Sequence, residues 1–309
     1  AGQTNGSPSW FPCNDRPDDK ATYRIEISAH NDYYVVANGV CTSRWRSASS
    51  TTWVYEQREP MSTYLTTVQI GRYVAHPVPG APVPMTAVLP HRLLPLYDSA
   101  FGDQPRMLDF FARTFGPYPF SAYTVVITDD ELEIPLEAQG MSTFGSNFLT
   151  DDWDNVRLVA HELSHQWFGN SVTASSWRDI WLHEGFACYC EWLWSQESGG
   201  PSADARAREH WDKLSALPQD LLLADPGPDL MFDDRVYKRG ALLLHALRLT
   251  VGDDAFFALL STWVARHRHG SVTSAMFESL AADRLGDQVA PLFQSWLRER
   301  PLPALPATP

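Results

Sequence analysis

Two phrases that lie close together in the chain decide its fold. The first is His161-Glu162-Leu163-Ser164-His165-Gln166-Trp167-Phe168-Gly169-Asn170, and the second is Trp177-Arg178-Asp179-Ile180-Trp181-Leu182-His183-Glu184-Gly185-Phe186-Ala187. Apolar and aromatic residues surround the polar positions of both phrases, so each is predicted to lie on a half-buried helix. The two phrases therefore predict a pair of packed helices that carry chemically active side chains.

The spacing within these phrases predicts a zinc site. His161 and His165 are four residues apart, so they project from one face of a helix and can bind one zinc ion. Zinc needs a third protein ligand and an open position for water. Glu184 follows after a gap in which the first helix can end near Gly169 and a second helix can return a carboxylate. Glu162, next to the first ligand, is predicted to be the base for the bound water.

The same phrases resemble those of the gluzincin zinc aminopeptidases, the family of aminopeptidase N, alanyl aminopeptidase and the leukotriene epoxide hydrolase. The resemblance implies an α+β fold, in which a partial antiparallel β domain precedes a thermolysin-like, mostly helical zinc peptidase domain. It also implies zinc-dependent hydrolysis of amino-terminal peptide bonds. His183 departs from the family, which usually has Asn there. We expect this change to affect the surroundings of the ligand and not metal binding.

Three further residues receive roles from the resemblance. Glu137 matches the family's Met-Glu pair and is expected to bind the free amine of the substrate, although Pro135 and Ala138 beside it differ from the family. Tyr237 matches a Tyr that directs its hydroxyl at the transition state. Gln3 lies where the family has a second residue that holds the amine.

Alternating residues up to about position 78 predict strands, and Trp10 through Pro17 resemble the second half of the family's amino-terminal β domain. We therefore expect a fragment or a trimmed form. Residues 76–84 contain four prolines, which predict a boundary. The predicted ranges are 1–78 for the β domain, 79–84 for the linker and 85–309 for the catalytic domain. Helices are predicted at 104–115, 202–216, 236–250, 253–267, 273–284 and 287–298, and the proline-rich tail after residue 300 shows no packing signal.

Composition limits the function classes. The formal net charge of −13 argues against a general nucleic-acid binder, because phosphates would be repelled. The sequence has no run of eighteen apolar residues, so no membrane span is predicted. Four cysteines are too few for a disulfide framework, although Cys13 could pair with Cys41. A cytoplasmic location is slightly favoured over secretion, and the oligomeric state is left open.

Three alternatives remain open at this stage. A zinc endopeptidase would use the same zinc core if Glu137 does not bind an amine. An epoxide hydrolase occurs in one branch of the family. A non-catalytic, truncated member would keep the fold without the reaction.

Overall fold

The alternation of apolar and polar residues before residue 78 produces strands, as the sequence predicts. The structure, a computed structural model, describes residues 6–307. Strands β1 (Lys20–His30), β3 (Val40–Arg46) and β4 (Ser50–Ser62) form an antiparallel sheet in the order β1-β4-β3, and β2 (Tyr34–Ala37) pairs with β5 (Val68–Gly71). The apolar faces of these strands share one core, made by Ile25, Ile27, Ala29, Val35, Ala37, Trp53 and Tyr55.

A second sheet follows. Its strands are β6 (Tyr73–Pro77), β7 (Met85–Pro90), β8 (Tyr123–Ile127), β9 (Leu136–Ala138) and β10 (Met141–Phe144), in the order β6-β7-β8-β10-β9. The central β8 runs parallel to β7 and β10, while the edge strands β6 and β9 are antiparallel to their neighbours. Helices α1 (Leu94–Phe101), α2 (Gln104–Phe115) and α3 (Trp153–Ser164) accompany this sheet. The observed bounds of α2 match the predicted ones.

The proline-rich residues 79–84 connect β6 to β7. The strand ladder extends to Pro77 opposite Thr86, and the Val78 N–H donates to the Met85 carbonyl at 2.9 Å. The chain then turns at prolines that have no N–H to donate. By compactness the chain forms two units, one made by residues up to Arg113 with Pro117–Gln166, the other by Thr114–Gly116 with the residues from Trp167 onward. The predicted domain ranges stay a prediction.

The second unit is mostly helical, as predicted. It contains α4 (Trp181–Glu197), α5 (Ala203–Ser215), α6 (Asp234–Val251), α7 (Asp253–His267), α8 (Ser274–Leu285) and α9 (Ala290–Arg298). The short strands β11 (Thr173–Ala174) and β12 (Ser271–Val272) pair in parallel. Every residue of α4 from Trp181 through Ser195 is buried. This burial makes α4 the central helix of its unit.

Two glycines bring α4 and α6 together. A Cβ atom added to Gly240 would lie 2.7 Å from the Cα of Gly185, closer than real Cβ contacts allow. The two helix backbones therefore touch at this point. Gly185 directly follows Glu184, and Gly240 lies three residues after Tyr237. This contact consequently fixes the spacing of the helices that carry Glu184 and Tyr237.

The proline-rich tail is packed, contrary to the expectation from its sequence. The indole N–H of Trp211 donates to the Pro303 carbonyl at 2.8 Å, and the Leu302 N–H donates to Gln219 Oε1 at 3.0 Å. The Arg239 guanidinium donates to the Arg300 carbonyl at 2.7 Å. These partners are 61 to 92 residues away in the chain, so no local pattern could reveal them.

Two further sequence expectations concern membranes and cysteines. Between residues 6 and 307 the structure has no helix long and apolar enough to cross a bilayer. The pairing of Cys13 with Cys41 that the sequence allowed is not formed: all four cysteines are free thiols.

His245, predicted to be a packed histidine, is buried. Its Nε2 lies 3.2 Å from Asp204, and its Nδ1 lies 3.3 Å from the Tyr189 hydroxyl.

Candidate metal centre

Helix α3 presents the first two predicted ligands. Its N-cap Asp152 accepts a hydrogen bond from the Asn155 N–H at 3.1 Å, which satisfies one of the amides that a helix start leaves unpaired. One helical turn separates His161 from His165, and their ring centroids are 4.8 Å apart. Both imidazoles are buried. The predicted ligand face is therefore directed into the interior, where a metal would compete with little solvent.

The helix ends earlier than the sequence predicts. We expected it to continue to Gly169, but its last residue is Ser164, and His165 is the C-cap. The Ser164 hydroxyl donates to the His161 carbonyl at 2.8 Å, and the Gln166 N–H donates to the carbonyl three residues before it at 3.2 Å. Hydrogen bonds over three residues tighten the last turn of a helix. The predicted stop at Gly169 was wrong for this reason.

Glu184 provides the third predicted ligand. It lies in the first turn of α4 and is 3% exposed. His161, His165 and Glu184 each offer one ligand atom, and these atoms lie within 4.8 Å of one another. Bonds from zinc to nitrogen and oxygen are about 2.0–2.2 Å long, so the ligand atoms of one ion are at most about 4.4 Å apart. The donor set of two imidazoles and one carboxylate, all buried, fits one zinc ion.

A second carboxylate lies beside the predicted base. Glu137 is on the edge strand β9, opposite Ser142 of β10, yet it is only 7% exposed. Glu137, Glu162 and His165 each offer one polar atom, and these atoms also lie within 4.8 Å of one another. Two buried carboxylates at this distance repel each other, and burial penalises each charge further. The pair is therefore suited to a cation that binds at Glu137.

A polar network from the sheet reaches the backbone of the predicted base. The Ser142 hydroxyl donates to the Glu162 carbonyl at 3.4 Å and lies 2.7 Å from the Tyr123 hydroxyl, to which Gln104 Nε2 donates at 3.3 Å. Burial raises the pKa of Tyr123 well above its usual range, and the Glu162 charge raises it further. The hydroxyl thus stays protonated and the network intact. Sequence reasoning missed Ser142 and Tyr123, because hydroxyl residues on strands carry no distinctive pattern.

His183 has a structural partner of its own. Its Nε2 accepts a hydrogen bond from the Ala174 N–H at 2.7 Å, and the ring is 2% exposed. The bond joins the first turn of α4 to β11. Its neighbour Glu184 is thereby held in place by a contact that does not involve the carboxylate. The interpretation of His183 as a residue that affects the surroundings of the ligand agrees with this contact.

Replacing His183 by Leu is expected to lower the free energy of unfolding by about 1–3 kcal/mol, because it leaves the buried Ala174 N–H without an acceptor. Urea unfolding of the zinc-free protein measures this change, with the exposed His91→Leu as the matched control. Zinc binding should persist in both variants. Unaltered stability, or loss of zinc from His183→Leu alone, would contradict this role.

Tyr237 and Gln3 are the remaining predicted site residues. Tyr237 lies in the first turn of α6 and is partly buried. Its neighbours make contacts of their own: Lys238 donates to Cys188 Sγ at 3.4 Å, and Arg239 donates to the Trp296 carbonyl in α9 at 2.9 Å. Both serve packing within the second unit. Gln3 lies outside the described residues.

Comparison with known proteins identifies the class of protein. The model of the peptidase family M1 domain matches residues 99–296, and that of the M1 amino-terminal domain matches residues 2–65. The chain therefore belongs to peptidase family M1. This result confirms the resemblance inferred from the zinc phrases, and the two-part architecture confirms the predicted α+β class.

Individual relatives agree with this assignment. Leucine aminopeptidase 2 of Coccidioides immitis is 30% identical over 88% of this chain and 46% of its own length. Aminopeptidase N of Lactococcus lactis is 26% identical over 96% of this chain and 38% of its own length. A variant of an M1 zinc metallopeptidase from Deinococcus radiodurans, solved bound to the substrate Tyr-Ser-Ala, has a TM-score of 0.91 and 31% identity over 99% of this chain and 70% of that one. The chain thus spans less than half the length of these two curated aminopeptidases.

Proposed function

We propose that this chain is a zinc aminopeptidase, which hydrolyses the amino-terminal bond of peptides that carry a free amine. The single observation that carries the proposal is the buried Glu137 beside Glu162 and His165. A base alone would serve any zinc peptidase. A second carboxylate next to it gives the substrate's ammonium group a partner and fixes how far the peptide can enter.

The proposed metal ligands are His161, His165 and Glu184, which hold one zinc ion. Zinc, when bound, supplies Lewis-acid chemistry that acidifies a water and polarises a carbonyl. The short α3 turn and the burial of all three side chains support this role, since a catalytic metal needs ligands fixed before it binds. The relatives named as zinc metallopeptidases support the choice of metal.

The proposed proton carrier is Glu162. It takes a proton from the attacking water and delivers it to the leaving amine as the peptide bond breaks. The Tyr237 hydroxyl is proposed to donate a hydrogen bond to the oxygen on which negative charge develops. Glu137, together with Gln3, is proposed to bind the amino terminus. The bond from Ser142 to the Glu162 carbonyl supports the first of these roles, because it holds the backbone of the base in place.

The competing function is an endopeptidase on the same zinc core. It would be favoured if Glu137 bound no amine, and the burial of this carboxylate beside a second one argues against that.

A cytoplasmic location is proposed as well, because the four cysteines are free thiols and one of them, Cys41, is exposed. Fractionation of the source cells would test the location.

The proposed function is tested with the wild-type protein on tyrosyl-aminocoumarin and its N-acetyl form. The expected result is fast release from the free amine, little from the acetylated form, and loss of release after dialysis against a chelator. Addition of one equivalent of zinc should restore it. Equal cleavage of both forms would establish an endopeptidase. A folded protein that binds zinc and cleaves neither would establish a non-catalytic member.

A further inference from the structure

The turn that follows Glu137 is held by the side chain of Gln166, which lies just beyond the C-cap of α3. The turn, residues 138–141, joins β9 to β10, with Ala138 paired to Met141. Gln166 Oε1 accepts from the Gly140 N–H at 2.8 Å, and its Nε2 donates to the Ala138 carbonyl at 3.1 Å and to the Met141 carbonyl at 3.4 Å. The single carboxamide thus uses its acceptor and both its donor hydrogens on three residues of one turn.

This contact is buried and specific. Gln166 is 0% exposed, so no solvent replaces a bond that is lost, and an unsatisfied buried amide is costly. Gly140 has a φ of +73°, a conformation that favours glycine and directs its N–H toward the carboxamide. The turn is therefore shaped to receive the Gln166 side chain.

The far side of the turn is held by other amides. Asn38 Nδ2 donates to the Gln139 carbonyl at 3.0 Å, and Gln139 Nε2 donates to the carbonyls of Glu59 and Pro60 at 3.2 and 3.3 Å. These bonds tie the turn to the strands that precede the sheet. Gln166 ties it to the C-terminal end of α3, the helix that carries His161 and Glu162 and is capped by His165. The turn is thus clamped between the β strands and the proposed metal helix.

We propose that Gln166 is a positioning residue, which sets the place of Glu137 relative to α3 and thereby the affinity for the substrate's amino terminus. The inference rests on the proposed function, because it takes Glu137 as the residue that binds the amine. Gln166 directly follows His165, and Ala138 directly follows Glu137. A shift at either end is therefore passed to the other through the hydrogen bonds of the Gln166 carboxamide. The role concerns binding of the amine and not the proton transfer by Glu162.

The test replaces Gln166 by Met, which keeps the length and the apolar stem but removes all three hydrogen bonds. The matched control is Gln219→Met in the second unit, since the partly buried Gln219 carboxamide also bonds three backbone groups, the carbonyls of Leu214 and Leu217 and the Leu302 N–H. On tyrosyl-aminocoumarin, Gln166→Met is expected to raise KM about tenfold, while kcat changes less than about threefold. Gln219→Met should keep the KM of the wild type.

Two measurements separate positioning from a general loss of structure. In the Glu162→Gln background, which leaves peptide uncleaved, Gln166→Met should weaken binding of Tyr-Ser-Ala about tenfold by calorimetry, and binding of N-acetyl-Tyr-Ser-Ala hardly at all. Hydrogen exchange of the peptide that contains residues 138–141 should speed up in Gln166→Met and not in Gln219→Met. Zinc content should remain one per chain in every variant.

Two outcomes would overturn the inference while leaving the proposed function intact: a KM of Gln166→Met equal to that of the wild type, or a joint fall of kcat and zinc content. The second would show that Gln166 merely supports the metal helix. If the wild type itself cleaves acetylated and free-amine substrates equally, the proposed aminopeptidase function is wrong. The variants would then be those of an endopeptidase, and the role of Gln166 in amine binding would be wrong as well.

Discussion

Glu162→Gln is expected to lower kcat about a thousandfold while KM and zinc content stay close to those of the wild type. The amide has the size of the carboxylate but cannot take a proton from water, and general base catalysis is typically worth about 10²–10⁴ in rate. Glu162 is 5% exposed and its backbone carbonyl is bound by Ser142. The substitution therefore removes the proton carrier with little change in its surroundings.

The measurement is steady-state kinetics on tyrosyl-aminocoumarin with zinc content determined on the same samples. The matched control is Glu137→Gln, which neutralises the neighbouring carboxylate and should raise KM more than it lowers kcat. A variant Glu162→Gln that keeps more than about a tenth of the wild-type kcat would exclude Glu162 as the base. Another group in the site would then have to carry the proton.

Glu184→Gln is expected to weaken zinc binding by more than about a hundredfold and to abolish cleavage at stoichiometric zinc. Loss of a residue that only orients a ligand typically costs 10–100-fold in metal affinity, so loss of a direct ligand should cost more. An amide oxygen is a poorer ligand than a carboxylate because it carries no charge. Because Glu184 is buried, a water molecule from the solvent cannot readily take the place of its carboxylate on the metal.

The matched control is Glu191→Gln, on the same helix and 2% exposed. It should keep one zinc per chain, so a difference between the two variants reports the ligand and not the loss of a buried charge from α4. Thermal unfolding with and without zinc gives a second readout, because a ligand that binds only the folded state raises the melting temperature. Equal zinc affinity of Glu184→Gln and the wild type would remove Glu184 from the ligand set.

The sequence predicted those features that repeat at a fixed spacing. The four-residue interval between His161 and His165 predicted their shared helix face, and the alternation in β1 predicted its strand. Gln166 lies between His165 and Trp167 and belongs to no periodic pattern. Its partners, Ala138, Gly140 and Met141, are up to 28 residues away in the chain, and only the folded backbone brings them to it.

Prediction from local sequence signals failed at the end of α3 and in the tail after residue 300. The end of α3 was predicted at Gly169, because glycine is the usual signal for a helix stop. Ser164 closes the helix earlier through its own hydroxyl, a bond that a serine makes in one structural setting and not in another. Likewise, the tail after residue 300 has a composition typical of a loop, yet Trp211 and Arg239 hold it through its carbonyls.

We propose that Glu137 gives the zinc site its specificity for peptides with a free amine. The most direct test of this role is the ratio of kcat/KM for tyrosyl-aminocoumarin to that for the N-acetyl form, measured for wild type and Glu137→Ala at one zinc per chain. We expect a ratio above about 100 for the wild type, since a charge-assisted bond in a buried site is worth up to about 3 kcal/mol, and a ratio within about tenfold of unity for Glu137→Ala. The same ratio in both proteins would contradict this role of Glu137 and assign amine recognition to another residue.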